Sequence, residues 1–331
     1  MRELFRFAFV TAVSLALGLA TGTSSLAQEQ AELVDTEQED VVNPAVVISI
    51  SSCNPTFIAN KAGATYAVAA ALTAASGKDC IDITAVGVTV DLAGFIATGV
   101  SGGNGVYIKA VGAHVTSSVA GGGITGFSVG VLDTASSARI ENLGIANNST
   151  AGVEILGSGA GATPFVDGTV VASNFINGNG LYGVYMRNTT HCMVDRNSQI
   201  STSSKFGVWI QNTAATAVAA DNVVSNNELN QIGTARIEVG YSGVPGTCTT
   251  KAPSVGDIIA NNLLPLDASG NSLYGIALEC NTGNSDSVFH NTVGPGAGVV
   301  DDLFDGTIAP ACDSNTWGLD VFGTHNQACA N

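Results

Sequence analysis

Acidic, aromatic and basic side chains recur at fixed places in a short phrase that this chain repeats. The phrase opens on glycine and alternates apolar and polar residues, as in Gly152-Val-Glu-Ile and Gly207-Val-Trp-Ile. Two places after the opening position stand Tyr107, Glu154, Tyr185, Trp209 and Glu238, and four places after it stand Arg187, Gln211 and Glu279. Carboxylates can act as general acids and bases, and aromatic rings can stack on the apolar faces of ligands. The repeated phrase therefore carries the candidate chemistry of this chain.

The chemistry depends on how far apart successive phrases lie. If each phrase is one strand of a parallel sheet, neighbouring strands are about 4.8 Å apart and alternate residues share a face. Glu238 and Glu279 then stand one strand apart in adjacent columns, about 8 Å from each other. That distance falls within the roughly 6.5–9.5 Å that inverting glycosidases use. Glu154 and Glu238 are three strands and about 14 Å apart, too far to act as a pair.

A second chemistry uses other residues of the same columns. Arg187 can neutralise a uronate for β-elimination, with Tyr185 as the base. Tyr107, Glu154, Trp209 and Gln211 are then candidate substrate-binding residues on the same rigid surface. The simpler interpretation is that Tyr and Trp serve only as residues of high strand propensity on an outward face.

The elements that position these residues follow from the repeat itself. Glycine opens the phrase at positions 105, 130, 152, 183, 207 and 275, and Arg236 takes its place in one further copy. A unit this short cannot bury its apolar face alone and becomes stable by stacking on its neighbours. The residues one and three places after glycine are mostly Val, Ile, Met or Leu and should point into the stack. The pattern predicts an all-β fold, a right-handed parallel β-helix of about eight or nine coils.

Two further features concern the interior and the turns. Asp133 stands where the second phrase should have an apolar residue, which leaves the register of that strand open. Asparagines recur late in each coil, as in Asn197, Asn222, Asn262 and Asn291. Their spacing favours a side-chain ladder at a turn, with each amide bonded to its counterpart one coil away.

The ends of the chain differ from the repeats. Residues 1–27 combine a basic start, an apolar run of about 14 residues and a small-residue cleavage site, which is typical of a signal peptide. Residues 28–52 form a predicted disordered leader that holds six acidic residues between Glu29 and Asp40. We expect an N-terminal cap over 53–79, the β-helix over 80–325 and a short tail over 326–331. The chain should therefore be secreted or periplasmic, with no membrane span after the signal.

Charge and motifs limit the partners. Removing residues 1–27 takes away two basic residues and one acidic residue, which leaves 26 acidic against 9 basic residues, a net charge of −17. A surface this acidic disfavours nucleic acid. It also repels polyanions unless a local basic cluster or Ca²⁺ intervenes. No residue spacing matches a structural metal site, so we predict neither metal nor cofactor, with Ca²⁺ left open despite the lack of a motif. The sequence does not indicate an oligomeric state.

Seven cysteines in an exported chain favour disulfides. Pairing of sequence neighbours predicts Cys53–Cys80, Cys248–Cys280 and Cys312–Cys329. Cys192 is then left over, and the alternation around it favours a buried free thiol.

These repeats resemble a known family. The run from Cys80-Ile-Asp-Ile to Asp91-Leu-Ala-Gly-Phe-Ile, followed by G-V-x-I phrases and N-x-I/V turns, is similar to the right-handed parallel β-helix repeats of the pectate-lyase-like fold. Many members of that fold act on acidic polysaccharides as lyases, hydrolases, esterases or epimerases, and others are binding or structural modules. The catalytic motifs of polygalacturonases, alginate epimerases and Ca²⁺-dependent pectate lyases are missing here. The resemblance therefore implies a fold and assigns no catalytic residue.

Two functional hypotheses remain at this point. The first is a secreted β-helix protein that binds or processes extracellular polysaccharide; if it is an enzyme, it is a lyase, glycoside hydrolase or epimerase that uses Glu238, Glu279, Tyr185 and Arg187. The alternative is a non-catalytic structural or adhesive surface module.

Overall fold

The structure is a computed structural model that describes residues 46–160, 165–213, 219–240, 254–266, 272–279, 285–294, 300–306 and 315–326. Within these residues the chain forms 34 short strands and no helix. Every strand pairs in parallel with its counterpart in the next coil. The predicted right-handed parallel β-helix is confirmed, with about eight turns.

A ten-stranded sheet carries the repeated phrases. Its strands are Phe57–Ala59, Ile81–Ile83, Asn104–Ile108, Val129–Asp133, Ala151–Leu156, Tyr182–Arg187, Phe206–Gln211, Ala235–Gly240, Tyr274–Glu279 and Asp301–Gly306. Their register places the first residue after each glycine, such as Val153 and Val184, in one inward column. These side chains are fully buried and form the core of the stack.

Two further sheets close the coil. An eleven-stranded sheet comprises Val47–Ile50, Thr65–Val68, Thr89–Asp91, His114–Thr116, Arg139–Glu141, Val170–Ala172, Met193–Asp195, Val223–Ser225, Ile258–Ala260, Ser287–Phe289 and Thr316–Gly318. A seven-stranded sheet comprises Leu72–Thr73, Ile96–Thr98, Gly123–Thr125, Gly144–Ala146, Phe175–Asn177, Gln199–Ser201 and Leu229–Asn230. Smaller parallel sheets at the corners comprise Val166–Asp167, Thr189–Thr190, Ala219–Ala220 and Ser254–Val255, and Leu263–Leu264 with Thr292–Val293.

Asp133 keeps the register of its strand although it is polar. It pairs with Ile108 on one side and Ile155 on the other, and its side chain is fully buried inside the coil. Its carboxylate accepts hydrogen bonds from the backbone N–H of Ala135 at 2.9 Å and from the hydroxyl of Thr169 at 2.7 Å. Burial raises the pKa of Asp133 to about 6. The register that the sequence left open is thus regular, because neighbouring donors satisfy the inward carboxylate.

The predicted asparagine ladder is confirmed at the turn that follows the strands of the eleven-stranded sheet. Buried asparagines stack there in consecutive coils, and each side-chain amide donates to the next side-chain oxygen at 2.9–3.1 Å. The members are Asn174, Asn197, Asn227, Asn262 and Asn291. Asn222 belongs to a second column, in which it donates to Asp257. Each amide also bonds a backbone carbonyl, so the ladder ties neighbouring coils together.

The β-helix begins earlier in the chain than the sequence predicts. Val47–Ile50 lies within the predicted leader and pairs in parallel with Thr65–Val68. Residues 53–79, predicted as a cap, hold three strands that are in register with the later coils. Residues 1–45, with the predicted signal peptide, and residues 327–331 of the predicted tail lie outside the described residues. Among the residues described, no helix has the length and apolar character needed to cross a membrane.

One of the predicted disulfides lies within the described residues and is confirmed. Cys53 and Cys80 are bonded, with their Cα atoms 4.8 Å apart. The predicted free thiol is also confirmed, because Cys192 is unpaired and fully buried. Burial raises the pKa of the Cys192 thiol to about 12, so it holds its proton and is a poor nucleophile. Cys248, Cys280, Cys312 and Cys329 lie outside the described residues, and their pairing stays a prediction.

Candidate functional site

The outward columns of the ten-stranded sheet have the predicted register. Along the first column, the strand pairs run Tyr107, Leu132, Glu154, Tyr185, Trp209, Glu238, Ala277 and Phe304. In the second column, Arg187 lies between Leu156 and Gln211. The structure therefore brings Glu154, Tyr185, Arg187, Trp209 and Gln211 together on adjacent strands.

A third outward column, which was not predicted from the sequence, adds more aromatic residues. Tyr182, Phe206 and Tyr274 each stand immediately before the glycine of their phrase, and they align across the sheet with Ala151 and Ala235. The signal in the sequence is an aromatic residue directly before the phrase glycine. Together with Tyr185, Trp209 and Phe304 they form one cluster on the outside of the sheet, which we call the aromatic face.

The rings of the aromatic face pack against one another. Tyr185 and Trp209 are stacked, with centroids 4.6 Å apart and an interplanar angle of 16°. Tyr182 lies 5.0 Å from Tyr185 and 5.3 Å from Trp209, and its ring is parallel to that of Phe206. The hydroxyl of Tyr185 donates to the side-chain oxygen of Gln211 at 2.5 Å, and the indole N–H of Trp209 donates to the carbonyl of Gly240 at 3.1 Å.

This packing corrects one expectation about exposure. Tyr185 and Trp209 point outward as predicted, but they are only 9% and 7% exposed. Ring faces that cover each other cannot both be open to a ligand. Tyr182, Leu156 and Phe304 remain half-buried and form the open margin of the aromatic face.

Charged groups border this margin. Burial raises the pKa of Glu154, while the positive charge of Arg187 on the next strand opposes the rise. Burial also raises the pKa of Tyr185 to about 12, although Arg187 favours its ionised form. Among the described residues, the Nε atom of Arg187 is buried and makes no hydrogen bond. The margin thus presents a carboxyl group that holds its proton more tightly than usual, next to the half-buried cation of Arg187.

For the predicted pair of Glu238 and Glu279, the structure gives the strand positions of both residues but the side chain of only one. Glu238 follows Trp209 in the first column, and Glu279 stands beside Gly240 on the next strand, so the two lie one strand apart as expected. The side chain of Glu238 is 1% exposed, and that of Glu279 lies outside the described part of the structure. The catalytic role of this pair stays a prediction.

Tyr107 lies apart from the other predicted site residues. Three strands, about 14 Å, separate it from Tyr185. The ammonium of Lys109 sits 4.2 Å from the centroid of the Tyr107 ring and forms a salt bridge with Asp82 at 2.5 Å. One face of the ring is therefore already occupied by a cation. In the described ranges, no group of three or more His, Cys, Asp or Glu side chains is placed to hold a metal ion.

Comparison with known proteins gives matches at the level of structure. The chain matches no protein-family model and no curated protein. The Dettilon tailspike protein (gp208) superposes with a TM-score of 0.58 at 14% identity, over 84% of this chain and 54% of that one. The chain thus spans about half the length of the tailspike.

Two other solved structures are more distant. The alginate lyase from Paenibacillus sp. str. FPU-7 has a TM-score of 0.46 at 15% identity, over 85% of this chain and 99% of the lyase. The A-module of the Azotobacter vinelandii mannuronan C-5 epimerase AlgE6 has a TM-score of 0.46 at 11% identity, over 86% and 92% of the two chains. At such identities structural likeness concerns the fold alone. By its parallel sheets and by its structural likeness to the tailspike, the chain has the right-handed parallel β-helix fold.

Proposed function

We propose that this protein binds extracellular polysaccharide through the aromatic face of its ten-stranded sheet. The observation that carries the proposal is the concentration of six aromatic side chains on outward positions of four strands, two on each side of Ala235–Gly240. An outward face that meets only water needs no such cluster, and aromatic residues on a rigid surface are a common means of holding sugar rings. The likeness to a tailspike supports only the fold that presents this face.

The parts of the aromatic face have different tasks in this proposal. The stacked pair of Tyr185 and Trp209 is the rigid support, because both rings are fixed by hydrogen bonds and by each other. Tyr182, which is half-buried, offers the contact surface for a sugar ring. Arg187 and Glu154, both half-buried, supply a cation and a carboxyl group for the hydroxyls of the glycan. Support of this kind lets a glycan bind without prior rearrangement of the site.

Binding fits the geometry better than catalysis by the predicted residues. Tyr185 would be a poor base, because its pKa is raised to about 12 and its hydroxyl already donates to Gln211. Glu238 is buried beneath the face, out of reach of a large substrate. The raised pKa of Glu154 favours a second candidate function, in which this carboxyl protonates a glycosidic oxygen next to Arg187.

The site of action that we propose is outside the cytoplasm. This part of the proposal rests on the signal-like sequence of residues 1–27 and on the disulfide between Cys53 and Cys80. Disulfides persist in oxidising compartments and are rare in the cytosol.

A screen of neutral and uronic polysaccharides tests the proposal. Retention in affinity electrophoresis reports binding, while reducing ends and the ultraviolet absorbance of unsaturated uronates report hydrolysis and β-elimination. We expect binding of at least one polysaccharide, weakened about tenfold by Arg187→Gln because a charge-assisted hydrogen bond is lost. Arg196→Gln removes the same charge from a side chain that is 71% exposed next to Asp195, so it is the matched control and should leave affinity unchanged. Absence of binding across the panel, or equal affinity in both variants, would contradict the proposal.

A further inference from the structure

A second concave site lies on a different face, at the edge of the seven-stranded sheet. In one outward column of that sheet, Ile96, Gly123, Gly144 and Phe175 follow one another on adjacent strands. Ile96 and Phe175 are 46% and 45% exposed, whereas the two glycines between them have no side chain. The flanking strands are about 14 Å apart, so the missing side chains leave a notch with an apolar wall at each end.

A long turn overhangs this notch. Between the eleven-stranded and seven-stranded sheets the chain uses six residues at 117–122, but only two at 142–143 and at 173–174 in the next coils. The long turn is fixed to the preceding coil, because both the backbone N–H and the hydroxyl of Ser118 donate to the carboxylate of Asp91. The turn and the glycine floor together border an open groove of about 990 Å³.

The groove has a polar side wall opposite the apolar ends. His114 and Glu141 line it from the eleven-stranded sheet, and Thr116 and Ser117 add hydroxyl groups. The two oxygens of Glu141 contact different side chains, His114 Nε2 at 2.9 Å and Arg139 Nη2 at 2.8 Å. The hydrogen bond from Arg139 holds the carboxylate beside the notch.

The charges of this wall favour a neutral ligand. Arg139 already donates to Glu141 at 2.8 Å. The described residues that line the groove include Glu141 but no Lys or Arg, so a ligand carboxylate would meet a like charge here. A neutral sugar has hydroxyls that can donate to Glu141 and apolar ring faces that can pack on Ile96 and Phe175.

We infer that this groove, which we call the glycine notch, is a binding site for a neutral hexopyranose unit. It lies on the seven-stranded sheet, apart from the aromatic face on the ten-stranded sheet, so the inference does not depend on the proposed function.

Filling the notch tests the inference directly. At Gly144 an added Cβ would meet only the carbonyl oxygen of Gly122, at 3.7 Å, so Gly144→Leu fits the fold while it occupies the floor. Gln199 follows Phe175 in the same column, one strand outside the notch, so Gln199→Leu is the matched control. The probes are maltotetraose, cellotetraose, laminaritetraose and mannotetraose, with tetragalacturonate as the acidic comparison, titrated into the full chain by calorimetry.

We expect at least one neutral tetrasaccharide to bind wild type and Gln199→Leu equally, and Gly144→Leu at least about tenfold more weakly. Gly144→Leu should not weaken any binding of tetragalacturonate, because the glycine notch is inferred to take a neutral sugar. If Gly144→Leu lowers the melting temperature, Phe175→Ala decides instead, because it removes an exposed wall and should also weaken binding. Wild-type affinity in the filled variant, or no binding of any neutral probe, overturns the inference. A neutral probe weakened by Arg187→Gln and not by Gly144→Leu would overturn the notch and leave the aromatic face standing.

Discussion

Replacing Asn227 by alanine removes a central member of the asparagine ladder. Its side-chain oxygen accepts hydrogen bonds from the backbone N–H and the side-chain amide of Asn197, at 3.0 and 2.9 Å. Its own amide donates to the carbonyl of Val194 at 2.8 Å and to the side-chain oxygen of Asn262 at 3.1 Å. The side chain is 1% exposed, so few of these partners can turn to water instead. The change therefore leaves two donors of Asn197 without a partner and removes a bond to the carbonyl of Val194, whereas the oxygen of Asn262 still accepts from the backbone N–H of residue 227.

The expected cost follows from those lost bonds. A buried polar group left without its partner costs about 1–3 kcal/mol. Two orphaned donors on Asn197 and the bond lost by the carbonyl of Val194 then give a loss of unfolding free energy of at least about 3 kcal/mol. Asn60→Ala is the control, because Asn60 is exposed and stands outside the ladder. It should change the unfolding free energy by less than about 0.5 kcal/mol.

Urea unfolding of the chain, followed by circular dichroism in the far ultraviolet, measures both variants. A cost of Asn227→Ala no larger than that of Asn60→Ala would refute the reasoning. It would mean that the ladder amides bond to water and that coil stacking depends on the apolar interior alone.

Three other changes have expected outcomes of their own. Trp209→Ala should lower the unfolding free energy by about 3–5 kcal/mol in the same assay, because the ring is buried and stacked. A decrease below about 1 kcal/mol would mean that the aromatic face is open to solvent. Because the pKa of Asp133 is raised, between pH of about 4 and 6 the folded chain keeps a proton on this carboxyl that the unfolded chain has lost. The contribution of Asp133 to the unfolding free energy therefore falls as pH rises through that window, by at most about 3 kcal/mol. Asp133→Asn should flatten this fall between pH 4 and pH 7, and an unchanged slope would show that the carboxyl is hydrated. Alkylation of the native chain followed by non-reducing peptide mapping should find Cys192 unmodified and Cys53 linked to Cys80. The same map tests the predicted Cys248–Cys280 and Cys312–Cys329 bonds. A disulfide at Cys192 would contradict the assignment.

The sequence is sufficient to predict the fold and the direction of the site residues. Glycine phrases with a period of two residues determine which side chains face inward, so the alternation alone places Tyr185 and Trp209 on adjacent outward positions. Their burial cannot be predicted in the same way. It depends on Tyr182 and Phe206, which stand before the phrase glycine and outside the alternating pattern that defines the phrase.

The glycine notch cannot be predicted from the sequence for a related reason. Gly123 and Gly144 are neighbours because their strands pair in register one coil apart. That register depends on the lengths of the turns between the strands. Likewise, His114 and Glu141 lie on two adjacent strands, and no repeated motif in the sequence marks their contact. The early start of the β-helix at Val47 has a different cause, because the first strands lack the glycine phrase and gain their stability from the coil above.

The central claim is that the aromatic face binds polysaccharide, and the two tryptophans of the chain allow a direct test. Trp209 lies in the aromatic face, whereas Trp317 is a buried residue of the eleven-stranded sheet that donates to Asp305 at 3.0 Å. Fluorine NMR of the chain labelled with 5-fluorotryptophan resolves the two sites, which Trp209→Phe assigns. We predict that a polysaccharide bound in the screen shifts the Trp209 resonance and leaves that of Trp317 in place. A bound polysaccharide that leaves the Trp209 resonance unchanged would contradict the account.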